Sequence, residues 1–282
     1  MADLPPHSKF RETAVWGGEA GGVQFAAPNG LAVDSDGRVY STDFQAGYLR
    51  RFSPNGVLDI EVGGTGTEPG LLANPIGVAV AGDGTIFVSE SGNSRVSRFA
   101  PNGTFQSAWG GPGSEPGQFH SAMGIATSDR TEVFVADFGN HRVQVFDAEG
   151  AFLREWGQPG SAPGEFENPI GLQLDPIGNV WVVDSGNERI QVFSQDGKLL
   201  RVFDEVGRGP EILSVNAVGE FYVSSPWTDS QVRHFGADGQ LIGTIGNELG
   251  GPHGTATGES GVLYVAETTN GIIRTFTPAH DQ

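Results

Sequence analysis

The chain has 282 residues, no cysteine, 34 acidic against 16 basic side chains, and a formal net charge of −18. Without cysteine, disulfides, thiolate metal sites and cysteine nucleophiles are excluded. With only two lysines, Lys9 and Lys198, and dispersed arginines, no basic patch offers itself to nucleic acid or to an anionic membrane, so neither is an expected partner. The first residues, Met1 to Pro6, lack the basic start and apolar stretch of a signal peptide, and no apolar run approaches the roughly 20 residues of a membrane-spanning helix. A cytoplasmic location is the expectation.

Taken in chain order, the elements repeat. Arg11–Gly18 is expected to form a strand, because it matches Thr104–Gly111 further along, with Trp16 in the place of Trp109. Four segments then open in the same way: Pro28-Asn29-Gly30, Pro75-Ile76-Gly77, Ala122-Met123-Gly124 and Pro169-Ile170-Gly171. Their glycines stand 47 residues apart. Two shorter copies begin at Pro210-Glu211-Ile212, where Ile replaces Gly, and at Pro252-His253-Gly254. A period in the forties is the mark of a propeller, in which each repeat is one blade that buries its faces against its neighbours.

Within each copy the order is constant. An apolar opening strand is followed by a β-rich run such as Ile86-Phe87-Val88-Ser89 or Val180-Trp181-Val182-Val183, then by a third strand closing on Phe52, Phe99, Phe146, Phe193, Phe235 or Phe276. Turns such as Pro54-Asn55-Gly56 and Gln195-Asp196-Gly197 lead into a fourth strand carrying Val62, Trp109, Trp156, Phe203 or Ile245, ten residues past the Phe. The last copy ends six residues after Phe276, too soon for a fourth strand, so the N-terminal strand is expected to complete it. The fold class predicted is all-β: a six-bladed propeller of four-stranded antiparallel blades, spanning 1–282 as a single domain and closed by that strand.

Three copies carry an acid-x-Gly-Asn-x-Arg string, Glu90 to Val96, Asp137 to Val143 and Asp184 to Ile190. Together with the upstream Pro-x-Gly-apolar opening, they resemble the NHL repeat over nearly the whole chain. The resemblance implies a propeller fold and leaves function open, because such propellers serve as interaction platforms, sensors, RNA-binding domains and enzymes.

What every blade shares is expected to be architecture; what one sector alone changes is a candidate for function. The pairs Glu90/Arg95, Asp137/Arg142 and Asp184/Arg189 are expected to be structural ion pairs. In blades 1 and 6 the acids Asp43 and Glu267 remain, but Tyr48 and Ile272 stand where Arg would be, which leaves both acids free for substrate. Blade 5 has Ser225 in the acid's place, followed by Pro226-Trp227-Thr228-Asp229.

The residue before the Gly position should sit at one mouth of the central channel. The six are Asn29, Ile76, Met123, Ile170, Glu211 and His253. The ring they form is apolar on one side and polar on the other, as small-molecule sites are. Glu211 and His253 are the candidate acid–base pair, with Asn29 as hydrogen-bonding or oxyanion group. Ile76, Met123 and Ile170 would contact substrate, with Phe44, Phe138 and Trp227 as aromatic walls.

No cofactor is expected. Propeller-type peptide-amidating lyases, which the chain also resembles, hold zinc at several Pro-His positions, and only Pro252-His253 matches, so a three-histidine zinc site is not implied. Calcium, as in gluconolactonase-like propellers, would take Glu211, Asn29 and Asp43 as oxygen ligands. His7, His120, His141, His234 and His280 carry no assigned chemistry, no serine has a nucleophile-elbow context, and Gly63-Gly64-Thr65-Gly66 opens no helix that could bind phosphate. Two functions stay open: an enzyme or binding protein for a small molecule, performing redox-free lyase, isomerase, cyclase or hydrolase chemistry, and a scaffold that binds a protein partner on its rim.

Overall fold

The computed structural model describes residues 10–18, 22–246, 248–258 and 261–279. The N-terminal residues 1–6, His7, Lys9 and His280 lie outside them. Among the described residues there are six four-stranded antiparallel sheets and two 3₁₀ turns, Phe138–Asn140 and Ser185–Asn187. The sheets are six blades around a central channel, and each blade's innermost strand neighbours that of the next. Blade 1 is built from Pro28–Val33, Val39–Asp43, Tyr48–Phe52 and Leu58–Gly63, and blades 2 to 5 repeat this order.

Blade 6 has only three strands of its own, and the N-terminal strand Phe10–Gly17 supplies the fourth by pairing with Ile272–Pro278. Trp16 lies opposite Ile273 as Trp109 lies opposite Val96, so the expected register is the observed one. The closure joins the two ends of the described chain through backbone hydrogen bonds and gives blade 6 the four strands of the others.

The repeated apolar positions make the core between blades. Phe52, Phe99, Phe146, Phe193 and Phe235 are essentially inaccessible, and Phe276 nearly so. Each contributes about 1.5–3 kcal/mol by leaving water. Trp109 and Trp156 pack on the Phe of the following blade, with ring centroids 6.0 Å and 5.9 Å apart.

The glycine at each blade start is required by close approach. A Cβ on Gly171 would stand 2.5 Å from the carbonyl oxygen of Glu211 in the next blade, inside any real contact distance. The innermost strand also carries a β-bulge there. In blade 1, Pro28 faces Asp43 but Leu31 faces Ser41, so Asn29 and Gly30 include one residue more than the partner strand, and blades 2, 3, 4 and 6 do the same. A bulge of this kind re-aims a side chain, here into the channel mouth. Blade 5, with Ile212 in the glycine position, pairs without a bulge.

The blade acids correct one expectation. In blades 2 to 4 the predicted pairs form: Glu90 with Arg95 at 2.7 Å, Asp137 with Arg142 at 2.9 Å and Asp184 with Arg189 at 2.7 Å. Each of these arginines also caps carbonyls of the loop entering its blade, as Arg95 does at Thr67 and Leu71. Asp43 and Glu267, however, are not free. Asp43 binds Arg50 at 2.7 Å and the backbone N–H groups of Ala26 and Ala27, and Glu267 binds Arg274 at 2.5 Å and the N–H of Gly250. The reason is the period of two along a strand: an arginine two residues further along points to the same face and reaches the same acid. Blade 5 follows suit, with Arg233 donating to Ser225 and pairing with Asp229.

Candidate functional site

The five bulges and the unbulged start of blade 5 aim their side chains into one mouth of the channel. A cavity of about 340 Å³ opens there, at the small end of the usual range for ligand sites. All six ring residues line it: Asn29, Ile76, Met123, Ile170, Glu211 and His253. Phe44 and Trp227 join them, so the structure brings together eight of the residues singled out from the sequence.

Three others do not reach the cavity. Phe138 opens a 3₁₀ turn and does not line the cavity, although Ser121, whose carbonyl accepts the Phe138 N–H, does. Asp43 and Glu267 are fully buried in their ion pairs, away from the wall. The calcium set of Glu211, Asn29 and Asp43 does not assemble, because Arg50 and two backbone N–H groups occupy the Asp43 carboxylate. Among the described residues no three acidic or histidine side chains are grouped to hold a metal.

Glu211 and His253 meet across the boundary between blades 5 and 6. His253 Nε2 lies 3.4 Å from Glu211 Oε2, with both side chains largely buried. Burial pushes the Glu211 carboxyl up to about 7, against a hydrogen bond donated by the Trp227 indole. Burial also depresses the His253 imidazole below its ordinary value, against its hydrogen bond to the Gly251 carbonyl. Both displacements favour the uncharged forms.

The far side of the imidazole decides which nitrogen carries the proton. The Thr268 hydroxyl donates its one proton to the Pro28 carbonyl at 2.6 Å, so its oxygen can only accept from His253 Nδ1, 2.9 Å away. The Gly251 carbonyl, 3.3 Å from Nδ1, is likewise an acceptor. Nδ1 therefore holds the proton, and in the neutral ring the Nε2 lone pair faces Glu211. An ionised carboxylate there would be repelled; a protonated one donates to Nε2. Ser224 reinforces the arrangement by donating to the backbone carbonyl of His253 at 2.6 Å.

Thr268 and Ser224 escape a reading of the repeat alone. Thr268 follows the blade acid, where the other blades hold Phe44, Ser91, Phe138, Ser185 and Pro226, and nothing in that series marks a hydroxyl as a histidine partner. Replacing Thr268 by Val should lower the share of the Nδ1–H tautomer of His253 in imidazole ¹⁵N spectra, and Thr268→Ser should restore it. An unchanged tautomer would refute the positioning role.

Two further features complete the mouth. The Asn29 side chain is largely buried and its carboxamide bonds no protein group among the described residues. Trp227, in the irregular blade 5 loop, is 72% exposed and sets its ring edge-on to His253, with centroids 5.0 Å apart. It thus reaches from the rim to His253.

The NHL repeat model matches residues 72–99, 119–146 and 166–193. A search of curated proteins finds no match. Among solved structures, a streptogramin B lyase is similar with a TM-score of 0.69 and 14% identity, covering 95% of this chain and 97% of that one. A gluconolactonase from Xanthomonas campestris is similar with a TM-score of 0.69 and 17% identity over 90% and 86%. A nidogen/laminin complex matches with a TM-score of 0.67 and 22% identity over 79% and 81%. At these identities the likeness is one of fold. No helix of the described residues is long and apolar enough to cross a membrane. The chain is a six-bladed β-propeller whose second, third and fourth blades carry NHL repeats.

Proposed function

We propose that this chain is an enzyme acting on a small molecule at the channel mouth by redox-free acid–base chemistry, of the lyase, isomerase, cyclase or hydrolase type. The observation that carries the reading is the buried Glu211–His253 pair, 3.4 Å apart, facing a cavity with an apolar wall. The similarity in fold to a streptogramin B lyase and a gluconolactonase supports it, since both are propellers that convert small molecules.

In this reading His253 Nε2 removes a proton from substrate while the Glu211 carboxyl gives one, and the Asn29 amide donates to the oxygen on which charge gathers. The step leaves imidazolium beside carboxylate. Transfer of one proton from Nε2 to Oε2 restores the starting state. A long contact in the empty site is expected to tighten when substrate is bound.

The test is conversion of esters, lactones and α-protic carbonyl compounds in deuterated buffer, followed by NMR. Turnover should rise as His253 loses its proton, below the ordinary histidine value, and fall as Glu211 loses its own near pH 7. A rate that climbs steadily through pH 8 would exclude Glu211 as the acid.

A second reading, a scaffold for a protein partner, is favoured by the opposite end of the channel. The tips of blades 4 and 5 expose Ile177 (85%) and Val218 (72%) beside a second cavity, where blades 1 and 2 place Asp36 and Asp83. The nidogen/laminin propeller, seen with a protein partner, is consistent with this use. Ile177→Asp with Val218→Asp would abolish such binding and leave the Glu211 mouth untouched.

A further inference from the structure

We propose, resting on the reading of this mouth as the substrate site, that its ligand is an uncharged small molecule with a largely apolar body, and that the cavity rejects anions. The geometry makes the case from three sides.

First, among the described residues no lysine or arginine lines the cavity. Arg50, Arg274 and Arg142 of the neighbouring blades are committed elsewhere, to Asp43 and Glu61, to Glu267 and Glu12, and to Asp137 and Glu155, and Arg208, three residues before Glu211, does not line the cavity. A carboxylate or phosphate entering here would shed its water and find no countercharge. The overall charge of −18 acts against it as well.

Second, the wall and floor opposite the reactive pair are apolar. Ile76, Met123 and Ile170 form most of the wall, and the polar groups that join them, Ser91, Ser121 and Gln45, are uncharged. Ile212 lines both the mouth cavity and the channel beneath it, so the one blade that departs from glycine at this position places a branched alkyl group at the junction.

Third, among the described residues Glu211 is the one carboxylate at the wall, and it already faces His253 and receives the Trp227 indole N–H. A ligand ammonium would hold it ionised and remove the acid the reaction needs. What remains is a neutral group, a carbonyl or hydroxyl, placed between the pair and the Asn29 amide.

The experiment compares two probes with the same aromatic body, N-phenyl-1-naphthylamine and its anionic counterpart 1-anilinonaphthalene-8-sulfonate, by fluorescence titration of the full chain at pH 7. The neutral probe should bind saturably, and the sulfonate at least ~10-fold more weakly. Met123→Arg, or Ile76→Arg should that variant not fold, places a cation in the wall and should narrow the difference or reverse it.

Equal or tighter binding of the sulfonate, no saturable binding of the neutral probe, or an unchanged ratio in the arginine variant would overturn the proposal. Tighter binding of 1-naphthylmethylammonium than of the neutral probe would do the same. The acid–base reading fails separately: if Glu211→Gln and His253→Ala keep the preference for the neutral probe and convert substrate as fast as the parent, the ligand class stands and the catalytic roles fall.

Discussion

Replacing His253 by Ala should lower turnover by about 10²–10⁴-fold, the usual contribution of a positioned acid–base group. In the proposed reaction the imidazole is the base, because its Nδ1 proton is held by Thr268 and Gly251, which leaves Nε2, beside Glu211, as the basic nitrogen. The loss should fall on kcat more than on KM, since the apolar wall that binds the substrate body is unchanged. Thermal unfolding should move little, because His253 lies at the end of an innermost strand and outside the aromatic clusters between blades. Activity of His253→Ala within a factor of three of the parent would remove His253 from the mechanism.

Replacing Glu211 by Gln should abolish the acid function and, at the same time, stabilise the fold above neutral pH. Burial raises the Glu211 carboxyl from an ordinary value near 4.5 to about 7. Between those two values the folded chain keeps a proton that the unfolded chain releases, so stability is full below pH 4.5 and declines as pH rises towards 7. At 1.36 kcal/mol per pKa unit the loss approaches roughly 3 kcal/mol at pH 8. The neutral amide of Gln escapes it. Denaturant unfolding at pH 4.5 and pH 8 should show the variant close to the parent at the lower pH and more stable at the higher. A variant equally stable relative to the parent at both would mean that Glu211 titrates as an ordinary surface carboxyl. The opposition between stability and function at one residue is what an active site is expected to show.

The two parts of the molecule were legible to different degrees. The blade count, the strand order, the closing N-terminal strand and the Phe and Trp of the core follow from a 47-residue spacing and a period of two, because packing between like blades asks for like residues at like positions. The six residues at the mouth were legible for the same reason. The fate of Asp43 and Glu267 was not. Counting five residues to an arginine misses Arg50 and Arg274 at seven, although strand geometry places both positions on one face. Phe138 does not line the mouth although Phe44, at the same place in blade 1, does, so place in the repeat alone does not decide whether a ring faces the cavity.

The sequence by itself determined the architecture and the ring of Asn29, Ile76, Met123, Ile170, Glu211 and His253, because both are properties of a repeat, and repeats are visible in one dimension. Only the tertiary structure decided which acids are held by arginines and which is not. Asp43 and Glu267 are neutralised by arginines of their own blades, whereas Glu211 meets a histidine from the next blade and no cation. It also fixed the proton on His253 through Thr268 and the Pro28 carbonyl, a contact between the last blade and the first that joins residues 240 apart. Contacts across the closure of a ring have no local signature in the chain; they exist only once the ring is shut.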